Sequence, residues 1–362
     1  KFDGSGTVVP LGDALNTDVT FLKLVEGKDT PTEQAILLGY LRAKGYDLDE
    51  IVGQTTGEVN VSASVSVPVF AYGINERWTL AIAVPIIQSK VSAQTGFVAN
   101  SQLEDFAKQL QLEGKEQDAR TLRDNTYNAT QTKLTKWGYE EIRNEEKTEV
   151  GDIKLVSKYK LLDKTNYILS LKNEVTLPTG KATPSNKALD VPSGDGQFDL
   201  GMGVVVDYLA TDRLVITADG GLIAQLPHTA EKRVPERSDS SLTPDIDSST
   251  KVDLGDQFYS NLTFKYQLIE GLTAHAIYGF QYKERDDYSG DLYDNYRYAW
   301  LGQDSEQRMH SARIGIGYST LPLFRAKKFA VPLEAKINHT RVIDGKNVTK
   351  DPLTSLEMVM YF

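Results

Sequence analysis

The sequence predicts an all-β fold: a transmembrane, antiparallel, up-and-down β-barrel of about twelve strands with helical insertions on its external side. Three observations predict it. Long stretches alternate apolar and polar residues, short turns exchange regularly with long polar connections, and aromatic residues gather beside the short turns.

The alternation is clearest from Val59 to Ala71. Val59, Val61, Ala63, Val65, Val67, Val69 and Ala71 are apolar, and Asn60, Ser62, Ser64 and Ser66 between them are polar. A period of two over this length describes a strand with one oily and one wet face. Its length exceeds the roughly 5–6 residues usual in soluble sheets. After a turn at Gly73-Ile74-Asn75-Glu76, the stretch Arg77 to Ile86 repeats the pattern with Trp78, Leu80, Ile82, Val84 and Ile86. The unit recurs in Asp152–Leu161 with Tyr167–Leu177, in Phe198–Tyr208 with Leu214–Leu226, and in Phe258–Leu268 with Leu272–Tyr282. His310–Tyr318 and Phe329–Ile337 form a further pair, and Leu353–Phe362 ends the chain.

Long polar connections fall near residues 91–148, 180–195, 227–252, 283–307 and 344–352. Outer-membrane barrels have this asymmetry, with short periplasmic turns and long external loops. Tyr72, Trp78, Tyr159, Tyr167, Tyr208, Tyr266, Tyr318 and Phe329 cluster beside the short turns. They fit an interfacial girdle, where a ring meets headgroup and hydrocarbon together. On the last strand Leu356, Met358, Met360 and Phe362 alternate to a terminal phenylalanine. That face is similar to the signal by which barrel-assembly machinery recognises its clients.

Eleven strands are legible from Val59 onward, and closure without an exposed edge calls for an even number. The missing strand is expected either near Asp18–Val25, where Val19, Phe21 and Val25 alternate imperfectly, or upstream of Lys1. Two helices interrupt the β pattern. Thr30-Pro31-Thr32-Glu33 is a capping box with proline at the first helical position, and Gly45 supplies the stop. The second runs from about Ser101 to Lys136, with Leu103, Phe106, Ala107 and Leu110 on one face and a break at Gly114. These insertions, near 30–50 and 101–136, cap the external side by packing on each other or reach into the lumen as a plug.

Composition alone leaves the class open. The chain has 362 residues, a formal net charge of -10 and 25% charged residues. No run of about 18 apolar residues could form a spanning helix. A barrel escapes that test, because each strand offers lipid only alternate residues. There is no cysteine, so thiol chemistry and disulfides are excluded. The acidic balance and the lack of a basic cluster argue against nucleic acid. Lys1 to Gly6 lack an apolar targeting core, so a signal peptide is expected to have been removed. The whole of 1–362 is expected to form one barrel domain, needing no cofactor.

Candidate lumen-lining residues carry both signs: Lys154, Lys158, Lys172, Arg213, Lys265, Arg313 and Lys336 against Glu174, Asp199, Asp207, Asp219, Glu334 and Glu357. They suit either a hydrated channel that screens solutes or a paired network that fills a narrow barrel. The acidic loop Asp286–Asn295 could hold calcium, though its spacing does not match an EF-hand, or simply be solvated. His310 and His339 fall in outward register near the external ends of adjacent strands and could meet. An outward serine to make a lipolytic site is missing, so an enzyme is not expected.

Gly151-Asp152-Ile153-Lys154-Leu155, Lys158-Tyr159, Leu177-Pro178-Thr179-Gly180 and Ser193-Gly194-Asp195-Gly196-Gln197-Phe198-Asp199-Leu200-Gly201 follow in succession. Over roughly residues 150–225 this resembles the outer-membrane transporter family associated with meta-pathway phenol degradation. The resemblance implies a bacterial outer-membrane barrel, embedded in outer-membrane lipid, that moves small, often aromatic or hydrophobic solutes. The other candidate role is an interaction protein whose external helices and Tyr-rich loop bind a protein partner or surface.

Overall fold

The computed structural model describes residues 1–362 apart from 10–11, 13–14, 27–29, 121, 123–133, 239–241 and 362. A short strand, β1 (Asp18–Thr20), is followed by α1 (Phe21–Glu26) and α2 (Pro31–Ala43). The first three long strands each come in two pieces. They are β2 (Ile51–Ser66) with β3 (Val69–Gly73), β4 (Trp78–Ala83) with β5 (Ile86–Ala99), and β6 (Glu145–Val150) with β7 (Ile153–Asp163). Helix α3 (Ser101–Leu112) lies between β5 and β6. Then come β8 (Tyr167–Leu177), β9 (Asp199–Thr211), β10 (Leu214–Gln225), β11 (His228–Arg233) and β12 (Ile246–Asp253). The chain closes with β13 (Gln257–Ile269), β14 (Leu272–Lys283), β15 (Asp287–Ser289), β16 (Gln307–Ser319), β17 (Leu333–Lys346) and β18 (Leu353–Met360).

One antiparallel sheet of 11 strands runs β3-β4-β7-β8-β9-β10-β13-β14-β16-β17-β18. Within this sheet each strand pairs with the next of its strands along the chain, as an up-and-down barrel wall requires. Two smaller sheets extend the wall at its outer end. One is four-stranded (β1-β2-β5-β6) and the other three-stranded (β11-β12-β15). Among the described residues no pairing joins β3 to β18, so the wall has eleven strand lines and is not closed by a twelfth.

The segment Asp18–Val25 is not the missing strand. Only Asp18–Thr20 pair, with the outer end of β2, and the chain then turns helical. Phe21 and Val25 stand one helical turn apart, which puts both on one face. Both are buried, Phe21 completely. Strand β17 likewise starts at Leu333 rather than Phe329, because the chain first makes the helix Leu321–Arg325.

The split strands break at a common height. Pro68 and Pro85 have no N–H to give the ladder. The pairing is re-joined there by Val84 N–H to the Pro68 carbonyl (3.1 Å) and Gly151 N–H to the Pro85 carbonyl (2.8 Å). Below this line Phe70, Tyr72, Leu80, Ile82 and Leu155 are exposed on the outer surface. Above it, the same outer surface carries Ser62, Ser64, Gln88, Lys90, Glu146 and Thr148. The break therefore marks where the wall leaves the apolar belt for water.

A charge placed on the belt should be costly. Ile314→Arg, at an exposed outward position midway along β16, is expected to lower folding stability in lipid vesicles by about 2–4 kcal/mol. Denaturant titration checks it. Arginine tolerated there at no cost would place that face away from lipid.

Candidate functional site

Residues paired across an antiparallel ladder share a face, so one assigned row orients the whole wall. Lys154, Thr176, Asp199 and Gln225 form such a row across β7 to β10, pointing inward. Thr176, Asp199 and Gln225 are buried. Along this inner face Lys172 Nζ meets Glu174 Oε2 at 2.6 Å, and Lys154 Nζ lies 3.6 Å from Oε1. Lys158 stands opposite Lys172. Asp207 accepts the Thr217 hydroxyl at 2.6 Å, and Asp219 accepts the Asn261 amide at 3.0 Å. Lys265 stands opposite His275, and Arg313 Nε donates to Thr340 Oγ1 at 3.0 Å. Lys336 pairs with Glu334 at 2.9 Å, and Glu357 accepts from Asn338 Nδ2 at 2.8 Å. Several of these charges are held by neighbours, whereas Lys158 and Lys265 face Lys172 and His275 across the ladder and Asp199 has long amide contacts. Arg213 is apart from them, in the β9–β10 turn, where the Thr211 hydroxyl accepts its N–H at 3.2 Å.

The opposite stretch of wall is apolar. Val69 pairs with Ala83, and Ala83 with Lys154, which puts Val69, Ala71, Ala81 and Ala83 on the inner face. Above the proline break, Val61, Ala63 and Val65 share a face with Ile87, Ser89 and Val91. Four contacts identify that face as inner. Lys147 and Glu149, in register with Ser89 and Ile87, pair with Asp190 (2.7 Å) and Lys181 (3.3 Å) of the loop that folds over the mouth. Leu15, by its carbonyl, accepts from Thr55 Oγ1 at 2.8 Å, and Gly57 has no room for a side chain beside Leu15. The oily side of Val59–Ala71 thus lines the interior. Alternation alone cannot tell inside from outside. The usable signal was Phe70 and Tyr72, whose large rings occupy the other register just below Pro68.

Over the mouth sits a helical cap. The capping box forms as expected: Glu33 N–H donates to Thr30 Oγ1 (3.2 Å) and Thr30 N–H to Glu33 Oε2 (3.0 Å). Gly45 and Gly114 adopt φ +75 and +74, which stops each helix. Phe21, Leu41, Leu103, Phe106 and Ala107 share one core with Val52 and Phe97 of β2 and β5. Burying each large side chain stabilises by about 1.5–3 kcal/mol. The helices therefore pack on one another and on the outer strand ends. The remainder of the 101–136 segment includes residues 121 and 123–133, which lie outside the described residues.

The sequence model of the family described as "Putative MetA-pathway of phenol degradation" matches residues 42–350. The chain belongs to this family. The match extends far beyond residues 150–225. No curated protein matches the chain. Among solved structures, an outer-membrane channel of Pseudomonas putida F1 is similar at 12% identity and TM-score 0.45, over 84% of this chain and 82% of that one. The CymD monoaromatic hydrocarbon channel is similar at 9% identity and TM-score 0.37, over 86% and 78%. The toluene transporter TodX of Pseudomonas putida is similar at 12% identity and TM-score 0.30, over 87% and 72%.

In this phenol-degradation family member the other expected features lie as follows. Tyr72, Trp78, Tyr159, Tyr167, Tyr208, Tyr266 and Tyr318 are exposed on the outer surface toward the turn end, and Phe329 is exposed in the turn before β17. Leu356, Met358 and Met360 share the outer face of β18, and Phe362 lies outside the described residues. His310 and His339 do not meet. His310 bonds the Tyr278 hydroxyl at 2.6 Å, whereas His339 sits opposite Ile314 and bonds Thr354 at 3.0 Å. The acidic loop is folded, and its Asp287, Asp291 and Asp294 are exposed to solvent. Asp286 takes the Gly255 N–H at 2.9 Å and pairs with Lys283, and β15 joins the outer sheet. Tyr298 is buried, its hydroxyl donating to Asp247 at 2.5 Å and holding that carboxyl below the usual range. Among the described residues no three His, Cys, Asp or Glu side chains are grouped to hold a metal.

The cap is tied by one carboxylate. Glu113 receives Lys44 Nζ at 2.5 Å, the Tyr40 hydroxyl at 2.8 Å and Gln109 Nε2 at 3.1 Å. Those three donors, Lys44 first, hold its pKa at about 2 against an ordinary 4.5. A depressed carboxylate pKa stabilises the folded form above its unfolded value, and that contribution is lost as pH falls through the folded value. An environment-sensitive probe on Leu112→Cys should keep its neutral signal down to about pH 4.5 and change between there and about pH 2. With Glu113→Gln added, the acid change should disappear. A transition surviving that substitution would assign the tie to another group.

Proposed function

We propose that this chain resides in the bacterial outer membrane and passes small apolar and aromatic molecules along the inner face of β2 to β5. The observation that carries the proposal is the apolar track from Val61 to Ala71, with Ile87, Val91, Ala81 and Ala83 beside it. At about 3.3 Å per residue the track runs roughly 33 Å, leading from the external sheet across the proline line into the apolar belt. A small aromatic ring that buries roughly 100 Å² on it gains about 2.5 kcal/mol, enough to favour entry without trapping the solute. Water-filled pores are lined by polar groups, so a continuous oily strip inside a charged wall selects for solutes that water excludes. The family's connection with phenol degradation points to the same solute class.

In this scheme the lumen charges from Lys154 to Glu357 hold the far wall, the helical cap limits entry, and the protein carries out no covalent chemistry. The aromatic girdle seats the barrel in lipid. The Leu356, Met358 and Met360 face serves recognition by the assembly machinery. The apolar faces of the helices are taken up by their own core, which favours a cap over a partner-binding surface.

Val65→Asp should cut uptake of labelled toluene by cells expressing the protein at least about tenfold, the equivalent of roughly 1.4 kcal/mol. Ser64→Asp, on the outward polar face, should leave uptake within about twofold, a few tenths of a kcal/mol. Equal effects of the two substitutions, or none, would remove the track from the route.

A further inference from the structure

At the outer end of the inner wall one carboxylate is poorly provided for. Asp199 is 7% exposed, and its Oδ1 receives the amide nitrogens of Gln197 at 3.4 Å and Gln225 at 3.5 Å, with the Thr176 side chain opposite it across the ladder. Both contacts are long for hydrogen bonds. Gln197 is 1% and Gln225 5% exposed, yet Oε1 of each is buried without a hydrogen-bond partner. A buried acceptor left without a donor is costly, and two of them flank the same carboxylate.

The surroundings add negative charge. Asp195 lies two residues after Ser193 in the loop over the mouth; its N–H reaches Asp152 Oδ2 at 3.3 Å, its Oδ1 accepts the Gln197 N–H at 3.2 Å, and its charge bears on Asp199. Burial and the Asp152 carboxylate raise the Asp195 carboxyl above its ordinary range. Lys154, two strands from Asp199 on the same row, lies within ion-pair distance of Glu174. Among the described residues no cationic side chain pairs directly with Asp199 or Asp195.

We propose that Asp199 and Asp195, with the amide oxygens of Gln197 and Gln225, form a site for one calcium ion at the outer mouth. Calcium takes carboxylate, amide-carbonyl and water oxygens in a flexible shell of six to eight. Each glutamine can offer either end of its amide, and a half turn about its terminal bond puts Oε1 where Nε2 stands. The proposed ligands are all oxygens, which suits a hard cation, and the nearby His228 imidazole, beside Gly196, is not among them. The ion ties the 178–198 loop to the β9–β10 wall beside the route. The site is separate from the acidic loop 286–295, whose first carboxylate is already engaged.

The test is calorimetric titration of calcium chloride into the full chain, folded in detergent and stripped with a chelator. The expected result is about one ion per chain. Asp199→Asn and Gln197→Leu should each weaken binding at least tenfold, while Asp291→Asn, in the acidic loop, should bind as the parent does. Heat-modifiable gel migration establishes that each variant is folded, and Gln197→Leu, outside the strands, serves if Asp199→Asn does not fold. No binding by the parent would overturn the proposal and leave the orphaned oxygens to water. Binding unchanged in Gln197→Leu, or abolished in Asp291→Asn, would overturn it equally.

Discussion

An unpaired peptide group in hydrocarbon costs several kcal/mol, so a strand in a bilayer must be hydrogen-bonded along its length. In this protein the continuous ladder answers that demand for the strands between β3 and β18, which among the described residues are each paired on one side. Because the ladder is antiparallel and regular, it also carries one orientation from strand to strand: once Asp199 points inward, so do its partners as far as Glu357. Even the break at Pro68, Pro85 and Gly151 preserves this continuity, since carbonyls of the two prolines accept the bonds that resume the sheet.

The proline line divides the wall into two regimes. Below it, the outer face meets lipid and the inner face of β7 to β18 is charged. Above it, the outer face of β2, β5 and β6 meets water, and the apolar side turns in. The inner valines of β2 continue across the line without changing side, from Val65 to Val69. The same residues therefore serve as the buried side of an external sheet and as an oily strip inside the barrel. The cap and the 178–198 loop rest on that inner side and roof the mouth.

Most of the strand plan was legible in the sequence because period-two alternation reports strand existence directly, and short turns report pairing. The capping box at Thr30–Glu33 was legible for a similar reason, since its reciprocal bonds need those residues at that spacing. Sidedness was not. Val59–Ala71 alternates equally well facing lipid or lumen, and only its height and its neighbours decide. Asp18–Val25 was misleading because Phe21 and Val25 fit either a loose alternation or one helical turn, and burial of Phe21 in the cap settles it as helix. The Gln197–Asp199–Gln225 cluster leaves no pattern, since Gln225 reaches Asp199 only through strand pairing. His310 and His339 share a register but differ in height, which a face assignment does not reveal.

The route through the protein depends on the valine side of β2–β3 facing the interior. The chain has no cysteine, so single spin labels at Val65, Val67 and Val69, and at Phe70 and Tyr72, can be placed in the barrel in lipid bilayers. Their accessibility to lipid-dissolved oxygen measures which side meets the bilayer. Strong oxygen contact is expected at Phe70 and Tyr72 and weak contact at the three valine positions. Strong contact at Val65, Val67 and Val69 would place the track on the lipid side and contradict the inward assignment.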